Sequence, residues 1–281
     1  MRSLFLCKKM KGREKMETIA IVNQKGGVGK TTSTINLGVS LAQQKKTVLL
    51  IDLDPQANLT MGLLTPYPDL LDYTISNELI RVTQGEENQL SKCIVHSDEG
   101  VDILPSNLDL SGTAVSLWNV VSRETVLKRL IRNVKSKYDY ILIDCPPSLE
   151  ILTVNALVAA DSVIVPVTPD YYATKGLELL TKTIRSLKMT LNPKLKINGI
   201  LLTMTSGQAT FYREVSDHVQ KDIGKSIPVF RTEIPRAVKA AEAPQSQKSI
   251  HLHQKNGKVS KAYDAAAREI VNRERTKELE R

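Results

Sequence analysis

Aromatic side chains make up only 4% of this chain, with one tryptophan and three phenylalanines among 281 residues. So few rings exclude a base-stacking platform for single-stranded nucleic acid, which needs a row of exposed aromatics. Cysteine is also scarce. Cys7, Cys93 and Cys145 share no C-x-x-C spacing, which excludes a disulfide framework and a cysteine zinc site. Such usage fits a reducing cytoplasm. No apolar run approaches the roughly 20 residues needed to cross a bilayer, so no membrane partner is expected. The apolar patch in Arg2-Ser-Leu-Phe-Leu-Cys is shorter than the roughly 7–15 residues of a signal-peptide core. Internal repeats and low-complexity linkers are missing too, which favours one domain over two.

Hydrophobic residues, at 41%, suffice for a large buried core. The formal net charge is +9, but six basic residues against Glu14 put +5 of it in residues 1–15 and leave +4 for the rest. Residues 1–15 therefore read as a basic, disordered tail. Residues 16–281 read as one domain, with 272–281 a charged, solvated helix end. With so modest a body charge, an anionic partner has to be argued from where the cations lie.

Apolar β-type runs alternate with amphipathic stretches. Strands are expected at residues 18–22, 47–51, 101–104, 140–143, 162–167, 197–203 and 227–230. Helices are expected at 31–43, 123–135, 174–187, 212–222 and 261–273. Several strand runs are unbroken Val/Ile/Leu rather than alternating, as in a parallel sheet covered on both faces. The pattern predicts an α/β fold: a doubly wound, mostly parallel sheet with ligand at the carboxyl ends of its strands. Residues 55–100, with three prolines, are the least regular part.

The most informative stretch is Lys25-Gly26-Gly27-Val28-Gly29-Lys30-Thr31-Thr32. It lies between the first strand and the first helix, where free backbone N–H groups and the positive helix end converge on an anion. This is a P-loop NTPase arrangement: Lys30 reaches the β/γ-phosphates and the Thr31 hydroxyl ligates Mg²⁺. The match is imperfect. Gln24 stands where the pattern has its first glycine, and a second lysine, Lys25, follows it. Two further strands end in carboxylates, Leu-Leu-Ile-Asp52-Leu-Asp54-Pro and Ile-Leu-Ile-Asp144-Cys-Pro-Pro-Ser. Asp52 and Asp144 suit Mg²⁺ binding through its waters. Asp54, on the loop just beyond, suits orientation of an attacking water.

These three motifs together resemble those of the deviant-Walker ATPases and, within them, the ParA/Soj partition family. The likeness continues through Val165-Pro-Val-Thr-Pro-Asp170-Tyr-Tyr-Ala173, Gly199-Ile-Leu-Leu-Thr203-Met204 and Glu233-Ile-Pro235-Arg236-Ala-Val-Lys239. It covers about residues 17–272. The resemblance implies ATP and Mg²⁺ as ligands, with slow, partner-stimulated hydrolysis. It makes Lys25 the signature lysine, which contacts phosphates bound by the other subunit of an ATP-dependent homodimer. A cation supplied across an interface would offset the repulsion of two facing nucleotides and stabilise charge on the transferred phosphoryl.

By the same resemblance, Thr203, Met204, Pro235 and Arg236 are candidates for the adenine side. Nonspecific double-stranded DNA would be held through phosphate contacts. Of two family arginines, one aligns with Gln208 and the other with Lys239, so Arg213, Lys239 and Lys248 are the DNA candidates. A ParB-like centromere-binding protein would stimulate hydrolysis, and the location would be cytoplasmic and nucleoid-associated. Three other readings stay open. A MinD-like positioning ATPase would need a bulky amphipathic C-terminus. An iron-sulfur reductase would need well-placed thiolates. The third is a non-hydrolysing ATP-bound adaptor.

Overall fold

The computed structural model describes residues 16–169, 173–206, 223–225 and 227–279. Eight strands form a single sheet: β1 (Glu17–Ile21), β2 (Val48–Asp52), β3 (Val95–His96), β4 (Asp102–Leu104), β5 (Tyr140–Asp144), β6 (Ser162–Val167), β7 (Lys196–Thr205) and β8 (Ile234–Pro235). Their order is β3-β4-β2-β5-β1-β6-β7-β8. Every neighbouring pair is parallel except β3 with β4.

Alternate residues of each strand enter opposite cores, as the pleat requires. Ala20, Leu49, Ile51, Ile141 and Ile143 pack beneath the helices Ile75–Gln84, Asp109–Leu117, Val126–Ile131, Ile151–Ala159 and Ala173–Thr190. Ile19, Ile21, Leu50, Tyr140 and Leu142 pack beneath Lys30–Gln43, Asn58–Leu63, Ile250–His253 and Lys258–Leu279. Both faces are covered, so the strands could be apolar throughout. The doubly wound expectation holds.

Local differences have identifiable causes. The expected helix 123–135 is broken into a 3₁₀ turn at Arg123–Thr125, the helix Val126–Ile131 and a second 3₁₀ turn at Lys135–Lys137. Such tightening lets the chain drop quickly into β5. Only Val229 of the expected strand 227–230 is bridged, to Ile200, and Pro228 beside it has no N–H to give a ladder. The irregular region contains the helix Ile75–Gln84, set by a capping box between Thr74 and Asn77 and ended by Gly85 at φ 76°. Helix Ile151–Ala159 carried no signal because nearly all its residues are buried and no polar face marks its period. The expected helix 212–222 lies outside the described residues.

Candidate functional site

The fold brings the loop 22–29 to the carboxyl edge of the sheet at its centre, since β1 runs between β5 and β6. Gly27 (φ 73°) and Gly29 (φ 83°) hold backbone conformations that side chains disfavour. Gly29 caps the helix Lys30–Gln43 without any side-chain hydrogen bond. The first-turn N–H groups are thus left for an external acceptor. A Cβ on Gly26 or Gly27 would meet no heavy atom within 4 Å. At Gly27 the positive φ calls for glycine, whereas at Gly26, which shows neither crowding nor a positive φ, room for a closely approaching ligand accounts for it.

Two side chains fasten the loop to its neighbours. Asn23 donates from Nδ2 to Pro166 O at 2.7 Å and accepts from Lys25 N at 3.0 Å. Thr203 donates from Oγ1 to Val28 O at 2.8 Å. Asn23 escaped the sequence reading because an asparagine after a strand is an ordinary turn residue. Lys30 turns inward: its Nζ donates to Lys25 O at 3.1 Å, and the residue is 7% exposed. Burial pulls its pKa below the usual value, while Asp144, Cys145 and Asp54 work to keep it charged.

Asp52 and Asp144 are register partners at the tips of β2 and β5, both fully buried. Asp52 Oδ2 accepts from Thr60 N at 2.9 Å and Thr60 Oγ1 at 2.8 Å, and its Oδ1 from Asp54 N at 3.2 Å. Burial nevertheless pushes its carboxyl up to about 6 against those hydrogen bonds. Asp144 Oδ1 accepts from Thr34 Oγ1 at 3.3 Å, whereas Oδ2 is buried without a hydrogen-bond partner. Burial, then the neighbouring Asp52, raises its pKa well above the carboxylate range, and the Thr31 side chain and Lys30 oppose the shift. A buried carboxylate oxygen with no donor is costly unless a cation or its waters complete it. The donor set of one hydroxyl and two carboxylates is the hard-oxygen chemistry that Mg²⁺ prefers. The residues fit the metal.

Outside them opens a cavity of about 650 Å³. Gly26, Gly27, Gly29, Lys30, Thr31, Thr32, Asp54 and Met204 line it, so these residues are brought together as the sequence suggested. Lys25, Val28 and Thr203 do not line it: Lys25 is exposed, and the other two are buried behind the loop. Pro235 and Arg236 also lie off the cavity, bound along β7, where Arg236 N donates to Thr205 O at 3.0 Å. Pro244, Gln245 and Gln247 line that rim instead. Nothing local in the sequence marks them, because a turn nearly forty residues from β7 carries them there. Gln56, Asn58, Met61, Pro66 and Pro147 complete the lining.

Lys239 is exposed and ion-paired to Glu242 at 3.2 Å. Lys248 is exposed, and Arg213 lies outside the described residues.

Comparison with known proteins gives a consistent picture. A family model described as an AAA domain matches residues 16–197. The chain is 42% identical over 253 residues to the sporulation initiation inhibitor protein Soj of Bacillus subtilis, covering 90% of this chain and 97% of Soj. It is 42% identical over 261 residues to the chromosome partitioning protein ParA of Myxococcus xanthus, covering 92% and 89%. A Mycobacterium smegmatis structure described as cobyrinic acid a,c-diamide synthase, with bound ATP analogue and magnesium, superposes with a TM-score of 0.78. It is 35% identical and covers 90% of this chain and 93% of that one.

Proposed function

Because the chain belongs to the ParA/Soj family of partition ATPases, we propose that it is an ATP- and Mg²⁺-dependent dimerisation switch for DNA partitioning. The observation that carries the reading is the rim of the cavity. An open glycine cradle and the Lys30 ammonium line it, and a buried, orphaned carboxylate oxygen on Asp144 ends the strand that pairs with β1.

In this reading the first-turn N–H groups and Lys30 bind the phosphates of ATP. Thr31, with Asp52 and Asp144 acting through bound waters, would hold Mg²⁺. Bound there, it would supply positive charge against the phosphates. Asp54 sits at the cavity wall with Oδ1 fixed by Gln56 N at 2.9 Å. It would orient the attacking water and take up its proton. Lys25 is exposed beyond its own subunit's cavity lining, a position that suits phosphates bound by a second copy. ADP lacks the group it would grip, so hydrolysis releases the dimer. The ATP dimer holds nonspecific double-stranded DNA through Lys239, Lys248 and Arg213, and a ParB-like protein stimulates turnover.

The competing readings meet obstacles. The long C-terminal helix already spends Val259, Tyr263, Ala266, Ala267, Ile270 and Val271 on the core, so these apolar residues are not available to a bilayer. Cys93 and Cys145 are both buried, unsuited to a cluster shared between subunits.

Sedimentation velocity with ATP and with ADP tests the switch. Wild type should dimerise with ATP alone and Lys25→Ala with neither; an ATP dimer of Lys25→Ala would overturn the cross-subunit role. Turnover measured with and without DNA and the partner separates the switch from a non-hydrolysing adaptor.

A further inference from the structure

We infer that Asn36 and Glu99 are positioning residues that fix the turn 244–247 over the cavity and so set where the base and ribose of a nucleotide rest. The inference rests on the reading of the cavity as an ATP site with the phosphates at its Lys30 end. Neither residue lines the cavity. Asparagine suits the inside of a helix poorly, because its short amide competes for backbone hydrogen bonds. Asn36 nevertheless lies within the helix Lys30–Gln43 and is only 3% exposed. Both ends of its amide are spent on backbone groups. Nδ2 donates to Thr32 O at 2.7 Å, and Oδ1 accepts from Ile250 N at 2.8 Å. The first bond fixes the amide, and the second ties the chain just beyond the turn to the helix that begins at the phosphate loop.

Glu99, between β3 and β4, holds the neighbouring residue. Its Oε1 accepts from Ser249 N at 2.7 Å, and its Oε2 accepts from the Ser249 hydroxyl. His251 Nε2 and Ser40 Oγ, 2.8 Å apart, add a further link to the same helix. On the other side of the turn Ala243 is buried, and a Cβ on Gly62 would lie 3.8 Å from Pro244 Cβ. The turn itself is tight: Gln247 N donates to Pro244 O at 3.0 Å, with Gln247 at φ 53°. A tight turn moves as a unit, so its placement is decided at its ends.

Pro244, Gln245 and Gln247 are the residues this turn contributes to the cavity lining. A proline offers an apolar contact, and two amides offer both donors and acceptors, as the edge of a purine requires. The phosphate end is built separately, by the glycines and Lys30. Thr32 O also keeps its place in the helical hydrogen-bond ladder without the Asn36 side chain. Loosening the turn should therefore cost a ligand that carries a base and spare a bare phosphate chain.

The test is isothermal titration calorimetry of full-length wild type, Asn36→Ala, Glu99→Ala and Glu99→Gln with ADP and with pyrophosphate, each with Mg²⁺. Neither ligand has a γ-phosphate, so neither drives the ATP dimer. Asn36→Ala and Glu99→Ala should bind ADP about threefold to tenfold more weakly than wild type, the reach of one lost hydrogen bond. Their pyrophosphate affinity should match wild type, which also shows them folded. Glu99→Gln keeps an acceptor for Ser249 N and gains a donor for Ser249 Oγ, so it should retain wild-type ADP affinity. If Asn36→Ala does not fold, Glu99→Ala alone decides, because Glu99 lies outside the helix. Equal losses for ADP and pyrophosphate would place the effect in the phosphate loop and overturn the inference. Unchanged ADP affinity in the alanine variants, or a wild type that binds ADP no better than pyrophosphate, would overturn it and leave the phosphate site standing. A wild type that binds neither ligand would overturn the ATP-site reading itself, and the inference with it.

Discussion

Replacing Thr60 by valine should damage the site from behind, through a residue that does not line the nucleotide cavity. Thr60 is fully buried. Its Oγ1 donates to Asp52 Oδ2 at 2.8 Å and accepts from Ser106 N at 3.0 Å, while its N–H donates to the same carboxylate oxygen at 2.9 Å. Valine keeps the volume and the backbone bond but loses both hydroxyl contacts. A hydrogen bond to a charged group contributes about 1.5–3 kcal/mol, and an orphaned buried N–H costs about 1–3 kcal/mol. The sum is about 2.5–6 kcal/mol at neutral pH, or roughly 5–12 °C in Tm for a chain of this size.

The loss should depend on pH, and its sign follows from Asp52. Its folded pKa, about 6, lies above the ordinary carboxylate value because burial outweighs the Thr60 hydrogen bonds. Ionisation therefore costs the folded protein stability as pH rises through that range. Removing a bond that favours the charged form raises the folded pKa further, at about 1.4 kcal/mol per unit. Urea melts of metal-free protein should then show a larger penalty at about pH 8 than at about pH 5, where the carboxyl is protonated in both proteins. Thr60→Ser should restore most of the loss, and Thr60→Val should need more Mg²⁺ for turnover. A penalty under about 1 kcal/mol, or one equal at both pH values, would refute the reasoning.

Three more outcomes follow from single contacts. Gly38→Ala should destabilise by about 1–3 kcal/mol despite the better helix former, because its Cβ would lie 2.5 Å from Leu50 Cδ2 in a packed core. A rise in Tm would show that Leu50 can yield. Asp144→Asn should raise the Tm of metal-free protein at about pH 8 by removing a buried charge, and abolish stabilisation by Mg²⁺–ATP; a lower metal-free Tm would contradict the burial argument. His251 is buried against Ser40 Oγ at 2.8 Å, and burial holds its pKa below the usual value against the pull of Asp264 and Glu99. The unfolded chain takes up a proton below about pH 6.5 before the folded one does, so stability should fall as pH drops through that point. His251→Gln should flatten this part of the profile, and an unaltered acid limb would exclude His251 as its source.

Much of the fold was legible because the strands are short apolar runs and the helix Lys30–Gln43 is introduced by glycines. The elements that escaped are those whose signals are relative. Helix Ile151–Ala159 is buried on all sides and so has no polar face to reveal its period. Ile75–Gln84 is capped through Asn77 instead of the usual Glu or Gln. The strand 227–230 was over-read because β-branched residues around Pro228 look like a strand without its ladder.

The sequence alone determined the phosphate loop, the two lysines and the three aspartates, because each rests on a local backbone geometry or on a strand end. It also determined that two of those aspartates end parallel strands. Tertiary structure decided what surrounds them. It put Asp52 and Asp144 in register, left one oxygen of Asp144 without a donor, and buried Lys30 against the Lys25 carbonyl. It closed the cavity with Pro244, Gln245 and Gln247 while Pro235 and Arg236 stayed on β7. It also set Lys128, Arg129, Arg132 and Lys137 on an outer face whose apolar side is sunk in the core. The physical reason is range. Glycine torsions and strand periods act over a few residues, whereas burial, charge and cavity shape depend on residues a hundred or more positions apart.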